Sequence, residues 1–280
     1  MERPHWSFSA INQFLRCPLQ YYFERVLRLP RSSVSSSLVF GSSVHHALAI
    51  YHNALQKNTS VTLDELKIGI REIWAKEGAM KKIDFKSGEL LEHSVEQAIT
   101  LIELYAREPQ PTDIVCVEKR MTVPLQNSDG DILEKPLVAV ADLICRPNNG
   151  ILITEFKTAA KAYSEFEVDS SLQPSCYVNA SLELFGEIAN VEFAILVKTK
   201  TPKIQRLRTI RDAKDLGRLG DLVETIEHSV VNQNYYPIES TMNCSSCYYR
   251  KECRLWKPKR SAANEKKLVP LNGVHACWPN

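Results

Sequence analysis

The sequence predicts an α/β fold in which a mixed central sheet is flanked by helices, with an N-terminal helical lobe before it and a C-terminal cysteine cluster after it. Three observations predict this. Helical periodicity and capping signals fill the first 110 residues, β-rich runs begin at Asp113 and then alternate with helices, and three cysteines crowd together near the C-terminus. The boundaries expected are 1–110 for the helical region, 111–240 for the core, 241–258 for the cysteine segment and 259–280 for a basic, flexible tail.

Taken in order, Ser7 or Ser9 caps a first helix that runs to about Leu29 and stops at Pro30. The serine run Ser32 to Ser37 reads as a linker, and Gly41 to about Gln56 as a second helix. Thr62 caps a third, with Glu65 completing a capping box, and Ser87 to Arg107 forms a fourth. Val115 to Leu125 and Leu137 to Cys145 are strands joined across Asn127-Ser128-Asp129-Gly130. Pro147-Asn148-Asn149-Gly150 turns the chain into a third strand, Ile151 to Lys157, giving an antiparallel meander. Residues 170–186 read as a helix, Val191 to Lys200 and Ile204 to Ile210 as strands, and 212–232 as a long helix.

Composition sets limits on function. The 280 residues, 44% hydrophobic and 24% charged, match an ordinary globular protein. No stretch approaches the roughly 18 apolar residues of a membrane span, and the opening Met1-Glu2-Arg3-Pro4-His5 lacks the layout of a secretory signal. A cytoplasmic protein without a membrane partner is expected. The net charge of +2 says little, but its distribution says more. Arg250, Lys251, Arg254, Lys257, Lys259, Arg260, Lys266 and Lys267 face only Glu252 and Glu265 in the C-terminal stretch, and the N-terminal helix carries Arg16, Arg25, Arg28 and Arg31. Such clusters either track a phosphate backbone or form a solvated surface.

Two strands carry the chemistry. Ala139-Val140-Ala141-Asp142-Leu143-Ile144 and Ile153-Thr154-Glu155-Phe156-Lys157 each set a carboxylate in an apolar run, where an unpaired charge costs several kcal/mol. Glu155 and Lys157 point to one face, and the turn brings Asp142 alongside. A divalent cation would compensate the two carboxylates, and oxygen ligands suit Mg²⁺ or Mn²⁺. Phosphodiester hydrolysis fits, with Lys157 orienting a water or offsetting developing charge. An isolated Glu-x-Lys is more often a structural ion pair, a reading that the lone Asp in the preceding strand weakens. His45 lies on a helix beside His46, so residue type alone does not choose between them. Gln173 and Tyr177, four apart on a helix whose first turn Pro174 suits, share a face and could orient Lys157 or contact DNA.

Asp142 followed by Glu155-Phe156-Lys157 resembles the signature of the PD-(D/E)XK nuclease superfamily. Gly41-Ser42-Ser43-Val44-His45 and Gln173-Pro174-Ser175-Cys176-Tyr177 resemble the Gly-x-x-x-His and Gln-x-x-x-Tyr elements of its RecB-like branch, and all occur in family order. The resemblance implies a restriction-endonuclease-like core, a metal held by His45, Asp142, Glu155 and the Phe156 carbonyl, and catalytic roles for Asp142, Glu155, Lys157, Gln173 and Tyr177.

Eight cysteines in a cytoplasmic chain argue for ligation rather than disulfides. Cys116, Cys145 and Cys176 lie in apolar segments and read as small buried hydrophobes, while Cys277 has no assigned role. Cys244-Ser245-Ser246-Cys247 followed by Cys253 supplies three thiolates, and Cys17 is the candidate fourth. On spacing alone, zinc and iron are both open. The opening Cys-Pro and closing triplet resemble iron–sulfur RecB-like nucleases such as exonuclease V, the CRISPR-associated exonucleases and the AddB nuclease domain, which implies a [4Fe–4S] cluster. The expected activity is that of a DNA exonuclease on single-stranded ends, in CRISPR spacer acquisition or recombination repair, with a CRISPR integrase or a helicase as partner. A non-catalytic nucleic-acid-binding subunit and a redox or zinc protein are the competing readings. No Gly-x-x-x-x-Gly-Lys-Ser/Thr loop is present, so the chain is not itself a complete helicase motor.

Overall fold

Leu137–Cys145 (β5) is buried at every residue but Val140, so it must be covered on both faces. In the computed structural model, which describes residues 4–257, this strand organises a six-stranded mixed sheet. Ile114–Val123 (β4) pairs antiparallel along one edge of β5. The other edge is divided. Leu152–Ala159 (β6) pairs antiparallel only with Leu143–Cys145, and Trp6–Ser7 (β1) pairs parallel only with Leu137 and Val138. Between them, residues 139–142 face a gap on that edge. Asn190–Val197 (β7) runs parallel to β6 along its whole length, and Lys203–Thr209 (β8) closes the sheet antiparallel to β7.

Each face has its own apolar core. On one, Ser36–Gln56 (α3), Leu63–Met80 (α4) and Leu91–Ala106 (α5) bury Phe40, Ile70 and Leu101 with Leu143, Phe156, Ala194 and Leu196 of the sheet. On the other, Phe8–Arg16 (α1), Gln173–Phe185 (α7) and Ala213–Val231 (α8) pack against Ala141, Ile153, Phe193 and Ile195. Capping residues start two of these helices where expected. Ser7 caps α1, and Thr62 with Glu65 forms the capping box of α4. No described helix is long and apolar enough to cross a membrane.

Several expected boundaries differ. The first helix does not continue to Leu29. Pro18 lacks an N–H and disfavours helical geometry in the residue before it, so Cys17 is extended (φ −165°) and α1 stops at Arg16. Pro18–Tyr21 (α2) and a π-helical turn at Tyr22–Val26 follow. The serine run is not a linker. Ser33–Ser35 (β2) pairs parallel with Lys82–Asp84 (β3), and Ser35 caps α3, which therefore begins five residues before Gly41. The fourth helix begins at Leu91 rather than Ser87. The segment expected as one helix over 170–186 begins at Gln173, after a separate turn at Glu165–Asp169 (α6). Cys145 and Cys176 are buried as expected, whereas Cys116 is only half-buried. Cys277 and the tail 259–280 lie outside the described residues.

Candidate active site

Asp142 occupies the first position of β5 past its pairing with β6. The strand ladder ends at the Leu143–Thr154 pair. Beyond it the Asp142 carboxylate accepts the backbone N–H of Phe156 (2.7 Å), so a side chain replaces the ladder bond that the parting strands lose. Phe156 is fixed from behind, its ring stacked on His52 (5.3 Å between centroids) and edge-on to Tyr105 (5.4 Å). From α3, His45 reaches over the sheet and places Nδ1 3.2 Å from the second Asp142 oxygen. The adjacent His46 turns instead toward Gly69 on α4, which resolves the choice between the two histidines.

Glu155 is buried next to this pair. Lys157 donates to it (2.7 Å) and to the Gln173 side-chain oxygen (2.9 Å). Gln173 in turn donates to the Tyr177 hydroxyl (2.9 Å), which donates to the other Glu155 oxygen and lies 2.9 Å from the Val140 carbonyl, inside the gap left in β5. The face shared by Gln173 and Tyr177 on α7 thus holds the Glu155–Lys157 pair in one orientation. Every side chain named from the motifs is drawn into one connected group.

The electrostatics are those of a cation site. Burial, and then repulsion from Asp142, pushes the Glu155 carboxyl up despite Lys157 beside it. Burial disfavours a charged His45, but hydrogen bonding and attraction from Asp142 outweigh it and raise its pKa. Glu118 is pushed up to about 6 by burial and by Asp142. Carboxylates held together against their mutual repulsion ask for a positive ion. Among the described residues, His45, Glu118 and Asp142 offer ligand atoms that all lie within 4.8 Å of one another, one imidazole nitrogen and two carboxylate oxygens, a donor set that suits Mn²⁺ or Mg²⁺.

Glu118 was not foreseen. The pairs Val117–Leu143 and Lys119–Ala141 put it opposite Asp142, and its left-handed backbone (φ 50°) marks a departure from strand geometry there. The register that would have revealed it cannot be counted from the sequence, because the thirteen residues between β4 and β5 are not a tight hairpin.

A second group gathers where the N-terminal and C-terminal segments of the described chain meet. Cys17, extended ahead of Pro18, lines one cavity of about 480 Å³ with Cys244 at the end of Thr241–Cys244 (α9), with Cys247, and with Cys253 in Arg250–Leu255 (α10). Burial and the neighbouring cysteines push the Cys247 and Cys253 thiols up. Direct bonds join the two segments, from Leu19 N to the Tyr236 carbonyl (3.0 Å), from the Asn243 amide to the Arg16 carbonyl (2.9 Å) and from the Tyr249 hydroxyl to the Leu29 carbonyl (3.0 Å). Two of the N-terminal arginines expected on a DNA path are engaged internally. Arg31 pairs with Glu24 (2.6 Å), and Arg25 bonds Gln13 and Ser9.

No curated protein matches the chain. Among solved structures, a crystal structure from Eubacterium rectale described as a "putative exonuclease" aligns at a TM-score of 0.55 and 14% identity, covering 92% of this chain and 90% of that one. That identity speaks for a shared fold alone. The structure of SSO0001 covers 88% of this chain and 95% of its own at 12% identity, but its TM-score of 0.35 carries no argument. The family description of the PD-(D/E)XK nuclease superfamily matches residues 5–254, a span that includes the parted strands, the helix bearing His45 and the four clustered cysteines. The chain therefore belongs to the PD-(D/E)XK nuclease superfamily.

Proposed function

We propose that the chain is a metal-dependent exonuclease acting on single-stranded DNA ends, in CRISPR spacer acquisition or recombination repair, beside a CRISPR integrase or a helicase in the cytoplasm. The observation that carries the reading is the meeting of His45, Asp142, Glu155 and Lys157 where β5 parts from β6. His45, Asp142, Glu155 and the Phe156 carbonyl, with Glu118 added, would hold Mg²⁺ or Mn²⁺. Such an ion polarises a phosphodiester and acidifies water. The residues of the chain do the rest. Lys157 carries a positive charge on a short tether between Glu155 and Gln173, where it can orient a water and offset charge developing on the phosphate. Tyr177 and Gln173 limit how far Lys157 and Glu155 can turn, so little ordering is left for the reaction itself.

We extend the reading to the cysteines. Cys17, Cys244, Cys247 and Cys253 would hold a [4Fe–4S] cluster of structural role. Support comes from their shared cavity, which brings Cys17 to the C-terminal triplet.

The test is cleavage of end-labelled single strands by the purified full chain with Mn²⁺. Wild type should shorten the strand from an end, and Asp142→Ala or Glu155→Ala should abolish this without loss of fold. Lys157→Ala should impair turnover more than Mn²⁺ binding measured by calorimetry. If wild type binds DNA but cuts it with neither ion, the chain is a non-catalytic subunit and the enzymatic reading falls.

A further inference from the structure

Gly41 stands inside α3, four residues before His45, where glycine destabilises a helix relative to alanine. Packing does not require it. A Cβ there would come no closer than 3.6 Å to Thr158 Oγ1, an ordinary contact, and the backbone angle is one that any residue adopts. Gly220 is the contrast, since a Cβ there would fall 2.0 Å from the Gln126 carbonyl. A glycine that neither packing nor conformation demands is one that leaves room for something else to approach the helix. The helix face concerned carries Leu38, Gly41, Ser42 and His45, each partly or fully exposed.

Lys198 lies beside Phe40, the residue that precedes Gly41 on α3. It extends β7, its N–H donating to the Ala159 carbonyl (2.8 Å), and its ammonium lies 3.8 Å over the ring of Phe40. The charges acting on it are Lys86 and Glu89, and Glu89 is already bonded by Ser36 (2.7 Å), Ser94 (3.0 Å) and the Lys86 N–H (3.0 Å). Burial and Lys86 lower the Lys198 pKa, and attraction from Glu89 offsets them only in part. Thr158 and Lys198 both lie on the α3 side of the sheet, each two residues beyond a residue of that core, Phe156 and Leu196. Because Lys157 pairs with Ile195, Lys198 is three residues, or about 10 Å, further along the strands than the catalytic lysine.

We propose that Gly41, Thr158 and Lys198 seat a backbone phosphate of the DNA strand beside the one being cut. Lys198 supplies the charge, Thr158 a hydroxyl donor, and Gly41 the room for the sugar-phosphate chain to lie against α3. The proposal rests on the nuclease reading and adds a path for the substrate away from the metal. Lys198 and Gly41 are positioning residues, acting on the strand rather than on the reacting atoms.

The experiment is anisotropy of a labelled single-stranded oligonucleotide with the full chain, in chelator so that nothing is cut, over roughly 50 to 200 mM salt. Wild type should lose affinity steeply with salt. Lys198→Met should bind more weakly and flatten the log–log slope by about 0.7, the value for one contact on a single strand, and Lys198→Arg should restore it. Gly41→Ala should bind several-fold more weakly while melting roughly 2–4 °C higher, as a helical Gly-to-Ala change gives in a large domain. A wild-type slope in Lys198→Met, or a Gly41→Ala variant with unchanged affinity, would overturn the seat and leave the nuclease reading standing. Salt-independent or absent binding by wild type would overturn the nuclease reading itself.

Discussion

Glu118 reaches His45 and Asp142 through backbone that departs from strand geometry, just past a register shift between Ile114 and Cys116. A left-handed backbone at a bulky acidic residue is costly and persists where surrounding contacts impose it. With Asp142 across the strand and Glu155 near, the carboxyl is held in a field that opposes its own charge. Glu118→Gln should therefore weaken Mn²⁺ binding, by roughly tenfold or more if its loss compares with other ligand-shell changes. In metal-free buffer the same change should raise the melting temperature, since it removes repulsion. Unchanged Mn²⁺ affinity by calorimetry would exclude Glu118 from the ligand set. Of the other site residues, Asp142 and Glu155 were legible in their strands, whereas His45, Gln173 and Tyr177 gained weight only through the resemblance and its order. Asp142 and Glu155 interrupt apolar strands, and Gln173 and Tyr177 repeat at helical spacing. Glu118 breaks nothing in a stretch that also holds Lys119 and Arg120, so only the three-dimensional register distinguishes it.

Among the elements, α3 matters most to the site, because its position decides where His45 falls. Its N-terminal end is tied to the start of α5 by Glu89, which accepts from Ser36 on one helix and Ser94 on the other. Burial works against the Glu89 charge, but these bonds and the Lys86 N–H outweigh it and hold the carboxyl below its usual 4.5. With a folded-state pKa below the unfolded one, the unfolded chain binds the extra proton, so this contribution is complete above about pH 4.5 and lost as pH falls below it. Glu89→Ala should cost about 1 kcal/mol at neutral pH. The gap from wild type should close in urea titrations carried below pH 4.5, and a gap independent of pH would point to packing instead. Elements with strong local signals were readable in advance, as the capping boxes of α4 and the meander β4–β5–β6 show. The serine run misled because its role as strand and cap depends on a partner, β3, nearly fifty residues away.

At the scale of the molecule, two clusters of ligating residues sit at separate places, one where the sheet parts and one where the two ends of the described chain meet. If the second holds iron, anaerobically prepared protein should be brown, absorbing broadly at roughly 400 nm with about four irons per chain. Cys17→Ser should bleach it as fully as Cys247→Ser and lower the melting temperature, whereas Cys145→Ser should leave the colour unchanged. A colourless, zinc-loaded wild type would reject iron and leave the sheet-borne site untouched. The pairing of Cys17 with the C-terminal triplet was suggested by resemblance, since no local rule links residues so distant. That distance bears on biosynthesis. A ribosome adding about 5–20 residues per second completes the proposed catalytic set at Tyr177 on the order of 4–15 s before it reaches Cys253. Cys17 emerges earlier still, on the order of tens of seconds ahead of Cys253, the last of its proposed partners. Through that interval the first thiol is made but unmatched, and what shapes it is the extended backbone that Pro18 imposes.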